Sequence, residues 1–176
     1  MPLPIHGDYV KLRSDIEIFI ETGSYLGRGI QRSLDAGFKE IYSCEITKSS
    51  YEICVEKFSQ NKNVNLYFES SEQFLPRILE NINSKFVLWL DAHGGYSGAS
   101  GDPIGVYLPK ELEMLINYKE KFKDSIIMID DMNYIPQKEL IENELKKIKP
   151  NSSIDYLNGY IIECNSYIQK SVLICK

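Results

Sequence analysis

The stretch that decides the fold is "IFIETGSYLGRGIQ", residues Ile18 to Gln31. An apolar run ends at Glu21, glycines follow at positions 23, 27 and 29, and the chain then becomes amphipathic. A glycine directly after a strand allows a tight turn and lets the backbone approach a ligand closely. The pattern therefore predicts a buried strand, a turn suited to ligand contact, and a helix that ends at Gly37.

Strand-like and helix-like segments alternate along the rest of the chain. Each predicted strand is followed by an amphipathic stretch that reads as a helix, which is typical of βαβ units with right-handed crossovers. We therefore predict an α/β fold, a Rossmann-like three-layer sandwich with a mostly parallel sheet. The predicted strands are Ile16–Glu21, Glu40–Ile46, residues 63–70, residues 85–93 and Ser125–Met132.

The last 25 residues differ from this alternation. Asn158-Gly159 is a turn signal between two alternating apolar runs, which predicts antiparallel strands at one edge of the sheet. That edge is a candidate surface for homo-oligomer formation. A length of 176 residues favours a single domain that spans residues 1–176.

Composition excludes several function classes. The net charge is -5 and the lysines are dispersed, which argues against a nucleic-acid-binding surface. No apolar run is long enough to span a bilayer and the N-terminus has no signal-peptide pattern, so we expect a cytoplasmic protein without membrane partners. The four cysteines form no C-x-x-C pair, which makes a zinc site improbable.

Polar residues follow every predicted parallel strand. In such sheets ligands bind at the carboxyl ends of the strands, near the switch in strand order. Glu45 follows Gly23 by 22 residues and ends the second strand, where an acidic residue meets ribose hydroxyls in nucleotide-binding Rossmann folds. The candidate ligand-binding residues are Glu21, Thr22, Gly23, Ser24, Tyr25, Gly27, Glu45, Ser70, Ser71 and Asp91.

Three aspartates end the two most apolar strands. Asp91 should lie close to Asp130 and Asp131 if those strands are neighbours, and carboxylates that close repel unless a cation or proton lies among them. All-oxygen ligands favour Mg²⁺, Mn²⁺ or Ca²⁺, so these three residues are candidate metal ligands. Adjacent strand residues point to opposite faces, so we expect one of Asp130 and Asp131 to dominate.

His93 lies two residues beyond Asp91, and either could act as a general base; His93 could also bind a metal or simply be a loop residue. A glycine-rich loop at Gly94–Tyr107 follows and suits a mobile lid.

The order of these motifs resembles the class I S-adenosylmethionine-dependent methyltransferases. "ETGSYLGRG" is similar to the first motif of the macrocin O-methyltransferase-like branch, with Tyr25 in place of the middle glycine of the commoner form. The resemblance implies that Glu21 and the turn after it face the methionine part of the cofactor, Glu45 the ribose, and Ser70 or Ser71 the adenine. It also implies strand-end aspartates that hold a divalent metal such as Mg²⁺.

The function implied is O-methyl transfer from S-adenosylmethionine to a small hydroxylated substrate. A nicotinamide-dependent oxidoreductase is an alternative, but Tyr25 and Leu26 stand where a pyrophosphate needs bare backbone. A non-catalytic nucleotide-binding domain is the other alternative, because fold alone does not prove activity.

Overall fold

The computed structural model describes residues 3–4, 12, 14–92, 107–161 and 166–176. The strands are β1 (Leu3–Pro4), β2 (Ile18–Thr22), β3 (Glu40–Glu45), β4 (Val64–Phe68), β5 (Phe86–Leu90), β6 (Ile126–Ile129), β7 (Ile154–Ile161) and β8 (Ser166–Cys175). The α-helices are α1 (Arg28–Ala36), α2 (Lys48–Lys57), α3 (Ser71–Asn81), α4 (Tyr107–Leu115) and α5 (Lys138–Ile148). A 3₁₀-helix at Ile116–Phe122 continues α4.

The described strands form one sheet in the order β1-β7-β8-β6-β5-β2-β3-β4. Neighbouring strands pair in parallel across the part of the sheet formed by β4, β3, β2, β5 and β6. Strand β8 is antiparallel to β6, and β7 is antiparallel to β8. This arrangement confirms the predicted Rossmann-like sheet with antiparallel strands at its C-terminal edge. The strand order changes direction at the β2–β5 pair, which is the switch point at which such sheets bind ligands.

Alternate side chains of the central strands enter two separate apolar cores. Ile20 belongs to a cluster with Phe74 of α3 and Leu112 of α4, whereas Phe19 belongs to a cluster with Ile30 of α1. The helices that follow β2 and β3 thus cover one face, and those that follow β4, β5 and β6 cover the other. No helix in the described ranges is long and apolar enough to cross a membrane.

One local prediction was wrong. Asn158 and Gly159 lie inside β7, where the pairing with β8 shifts register between Leu157 and Gly159, so the dipeptide marks a bulge and not the hairpin turn. Pro76 lies inside α3, which continues to Asn81. The predicted lid loop, apart from the first residue of α4, falls outside the described residues.

Candidate functional site

The turn after β2 is held by hydrogen bonds to the end of β3. The amides of Gly23 and Ser24 both donate to the Cys44 carbonyl, at 3.0 and 2.9 Å. Gly23 has a φ of +83°, and a Cβ at that position would lie 2.7 Å from the Asp91 carbonyl oxygen. No other residue fits there without moving the end of β5, so Gly23 brings the ends of β2 and β5 into contact.

The second glycine serves helix packing. A Cβ on Gly27 would lie 2.4 Å from the Phe58 ring, at the C-terminus of α2. Tyr25, between the two glycines, also has a positive φ of +46° and is 55% exposed. The turn therefore presents a tyrosine ring to solvent at the carboxyl edge of the sheet.

Glu21 is buried beneath the first turn of α1. Its Oε2 accepts a 2.6 Å hydrogen bond from the Ser43 hydroxyl. A Cβ on Gly29 would lie 1.7 Å from Glu21 Oε1, so the third glycine of the motif makes room for this carboxyl. Burial raises the pKa of Glu21 to about 8, the Ser43 hydrogen bond opposes the rise, and the nearby Glu45 charge adds to it. Glu21 is consequently protonated at neutral pH.

Glu45 clamps the turn to the start of α2. Its Oε2 accepts a hydrogen bond from the Tyr25 amide at 2.8 Å, and its Oε1 accepts one from the Thr47 amide at 2.7 Å. Each carboxylate oxygen keeps a second lone pair, so the clamp leaves acceptor capacity for a ligand hydroxyl. The Thr47 side chain makes no capping hydrogen bond.

Asp91, Asp130 and Asp131 come together at the ends of β5 and β6. All three are buried. Burial raises the pKa of Asp91 well above its usual range, and the charges of Asp130, Asp131 and Glu21 raise it further. Both Asp130 and Asp131 thus affect Asp91, and the expectation that one of the pair dominates the site stays a prediction. Asp131 has already left the strand, with a φ of +54°, and its amide donates to Asp130 Oδ1 at 2.8 Å.

The expected metal site gains no support from this geometry. Among the residues that the structure describes, no group of three or more His, Cys, Asp or Glu side chains is arranged to hold a metal ion. His93 lies outside the described residues, so its role stays a prediction. Asp91 Oδ2 accepts a long hydrogen bond of 3.4 Å from the Trp89 indole, while Oδ1 has no hydrogen-bond partner in the described part of the chain.

The end of β4 carries the predicted serines. Ser70 occupies the N-cap position of α3 without a side-chain capping bond, and Ser71 is buried at the first position of that helix. Glu69, just before them, forms an ion pair with Arg77. Exposed apolar side chains lie nearby, with Ile46 60% exposed directly after Glu45 and Phe68 52% exposed at the last position of β4.

Sequence reasoning missed Glu111 on α4, a buried carboxyl on the opposite face of the sheet from Glu21. Glu111 is fully buried, and neither of its carboxylate oxygens has a hydrogen-bond partner in the described chain. Burial raises the pKa of Glu111 to about 7. The hydroxyls of Ser71 and Thr22 oppose this rise; they are close to the carboxyl but outside hydrogen-bonding geometry. The signal was present, because Leu108, Glu111, Leu112 and Leu115 share one helical face.

A cleft of about 480 Å³ lies at the opposite end of the sheet. Two of its lysines already have partners: Lys85 pairs with Asp15 at 2.6 Å, and Lys121 donates to the Ile82 carbonyl at 2.8 Å. It contains none of the strand-end residues, so we place the candidate site at the carboxyl edge.

Comparison with known proteins identifies the fold. No family model and no curated protein matches the sequence. A Streptococcus mutans protein that is assigned as a methyltransferase, in complex with SAH, superposes with a TM-score of 0.64 at 14% identity, over 99% of this chain and 98% of that one. The chain has the methyltransferase fold. The O-methyltransferase of Bacillus cereus, also in complex with SAH, gives a TM-score of 0.60 at 13% identity, over 97% of this chain and 79% of that one.

The methyltransferase fold does not by itself specify the reaction. Spermidine synthase of Thermotoga maritima superposes with a TM-score of 0.57 at 11% identity, over 94% of this chain and 55% of that one. The reaction therefore depends on the residues around the turn after β2, in the crevice at the carboxyl edge of the sheet, and not on the fold alone.

Proposed function

We propose that this protein is an S-adenosylmethionine-dependent methyltransferase that acts on an oxygen of a small hydroxylated substrate. The observation that carries the proposal is the meeting of Glu21, Glu45 and Asp91 around the Gly23 turn at the β2–β5 switch point. The turn contacts both of the other segments, since the Tyr25 amide donates to Glu45 and Gly23 lies against the Asp91 carbonyl, although 24 and 46 residues separate consecutive members of the three in the sequence. The Glu45 charge raises the pKa of Glu21, and the Glu21 charge raises that of Asp91. The fold is one in which solved neighbours hold SAH at their site.

The crevice offers a suitable group to each part of the cofactor. Glu21 and the turn backbone would face the methionine part, and Glu45 would accept hydrogen bonds from the ribose hydroxyls. The exposed side chains of Ile46 and Phe68 supply apolar surface for the adenine ring, and Ser70 and Ser71 supply hydroxyls beside it. A cluster of carboxyls suits the positive charges of the sulfonium and the amino group.

The turn is unsuited to a dinucleotide. Pyrophosphate recognition in Rossmann folds needs bare backbone amides, but four amides of this turn are already bonded within the protein. Gly23 and Ser24 donate to Cys44, Gly27 donates to Ser24, and Tyr25 donates to Glu45. A cofactor without a pyrophosphate fits better than a nicotinamide dinucleotide.

Asp91 is placed to move the substrate proton. When bound, the cofactor supplies a methyl group activated by a sulfonium. Transfer requires an acceptor oxygen aligned with that methyl group and a base for the hydroxyl proton. Asp91 Oδ1 has no hydrogen-bond partner within the described chain. The positive charge of a bound sulfonium would favour the ionised form of Asp91, and a carboxylate with a raised pKa is a stronger base once it is ionised. We assign proton acceptance to Asp91, with His93 as the second candidate.

Calorimetric titration with S-adenosylmethionine, SAH and NAD tests the proposal. We expect the two adenosyl ligands to bind and NAD not to bind, and Glu45→Gln to weaken adenosyl binding by about tenfold through the ribose contact. Glu56→Gln, an exposed glutamate on α2, is the matched control. Tight NAD binding without adenosyl binding would contradict the proposal, and SAH formation with hydroxylated acceptors would establish turnover.

A further inference from the structure

Two buried carboxyls straddle the end of β2. Glu21 points toward α1 on one face of the sheet, and the next residue, Thr22, points to the other face, where Glu111 of α4 lies beside it. Thr22 in turn accepts a hydrogen bond from the Asp91 amide through its hydroxyl oxygen, at 3.2 Å. Glu21 and Glu111 thus lie on either side of the strand end that forms the floor of the proposed cofactor site.

Neither carboxyl forms an ion pair with any residue that the structure describes. Within the same residues, Glu21 accepts a hydrogen bond from Ser43, and neither Glu111 oxygen has a hydrogen-bond partner. Burying carboxyl groups with so little compensation is unfavourable for folding, and such groups concentrate at functional sites.

We propose that Glu111, together with Glu21, is a buried counter-charge that distinguishes the cationic methyl donor from its neutral product. Glu111 loses its proton to solvent when the donor binds and regains one when methyl transfer removes the sulfonium charge. The inference rests on the proposed function. It makes Glu111 a positioning and specificity residue that acts through the field of its charge, since its carboxyl is not exposed to the crevice.

The surroundings of both groups favour the neutral acid until a cation arrives. The titratable groups that act on Glu111 are Glu72 of α3 and Cys44 of β3, and those that act on Glu21 are Glu45, Asp91, Cys44 and Cys54. The 3₁₀-helix and α5, which also pack against α4, contribute apolar side chains such as Phe122 and Leu145. With a pKa of about 7 for Glu111 and about 8 for Glu21, a small change in local potential ionises either group near neutral pH.

Donor and product provide the matched pair of ligands for a test. S-adenosylmethionine and SAH share the adenosyl and amino acid groups and differ by the methyl group and the sulfonium charge. Titrating the wild-type protein with each ligand between pH 6 and 8.5, in buffers of different ionisation enthalpy, counts the protons released. We expect more protons released with the donor, and a preference for donor over product that rises by about tenfold from pH 6 to pH 8.

Glu111→Gln should reduce the extra proton release and the rise in preference to the share that Glu21 contributes, while Glu113→Gln, exposed on the same helix, should retain both in full. Equal proton release for the two ligands in the wild-type protein would overturn the inference without any variant. Wild-type behaviour in a folded Glu111→Gln protein would also overturn it. Failure of both ligands to bind at every pH would instead contradict the proposed function.

Discussion

Glu21 and Gly29 depend on each other. The carboxyl occupies the volume into which any side chain at position 29 would project, with only 1.7 Å between Oε1 and the position of a Cβ. The Glu21 carboxyl is the end of a flexible side chain, but the residue is only 1% exposed and its Oε2 is bonded to the Ser43 hydroxyl, so moving it aside would break that hydrogen bond. The third glycine of the motif is therefore explained by the buried carboxyl of Glu21.

Gly29→Ala should displace the Glu21 carboxyl and overpack the β2–α1 contact. We expect a loss of about 2 kcal/mol in the free energy of unfolding, measured by chemical denaturation, and weaker binding of adenosyl ligands. Gln31→Ala, on the exposed side of the same helix, should cost little. In a double-mutant cycle, Glu21→Ser should relieve much of the penalty at position 29; strictly additive effects would contradict the steric explanation.

At the scale of elements, one buried lysine ties the end of the 3₁₀-helix to the end of α5. Lys149 Nζ donates to the carbonyls of Phe122 at 2.8 Å and Ser125 at 2.7 Å. Burial lowers the pKa of Lys149, but its ammonium group is bonded to two backbone carbonyls, one of which, that of Phe122, also accepts from the Ser125 amide at 3.2 Å. This contact fixes how α5 and β6 approach each other, and β6 leads directly to Asp130.

Lys149→Met keeps the length of the side chain and removes its donor. We expect a loss of about 3 kcal/mol in the free energy of unfolding, because two backbone carbonyls lose a hydrogen bond from a charged donor. Lys147→Met, at an exposed position of the same helix, should change stability by less than about 0.5 kcal/mol. An equal effect of the two substitutions in urea denaturation would show that Lys149 has no special structural role.

At the scale of the whole molecule, the sheet gathers buried acids at one edge and so links stability to pH. The folded-state pKa values of Glu21 and Glu111, about 8 and about 7, exceed the unfolded value of 4.5. Such groups contribute stability that is fully present below pH 4.5 and is lost as pH rises through the folded-state pKa values. The ligand-free protein should therefore lose stability from these two groups between about pH 5 and pH 8.

Glu111→Gln should stabilise the ligand-free protein at pH 8 by roughly 3 kcal/mol relative to wild type, while the difference should vanish near pH 4.5. The amide keeps the shape of the neutral acid and cannot ionise. Thermal or urea unfolding across this pH range measures the effect. A variant that is less stable than wild type at pH 8 would indicate that the Glu111 carboxylate is a structural group.

The residues at the strand ends could be predicted from the sequence, because each apolar run stops at a polar residue. Apolar runs that stop at Glu21, Glu45 and Asp91 placed these side chains at one edge, since parallel strands share a direction. The end of α1 at Gly37 was equally local, because a glycine with a positive φ of +82° ends the helix. The Asn158-Gly159 prediction failed because pairing with β8 outweighed the local turn preference.

By itself, the sequence determined the alternation of strands and helices, the parallel sheet and the residues at its carboxyl edge, since these follow from periodicity and the positions of glycine and charge. Only the tertiary structure decided that Gly29 makes room for Glu21, that Asp131 turns back beside Asp91, and that Glu111 lies across the sheet from the motif. Those facts depend on distances between segments far apart in the chain. Burial, which sets the ionisation of these acids, exists only once the helices have packed on both faces.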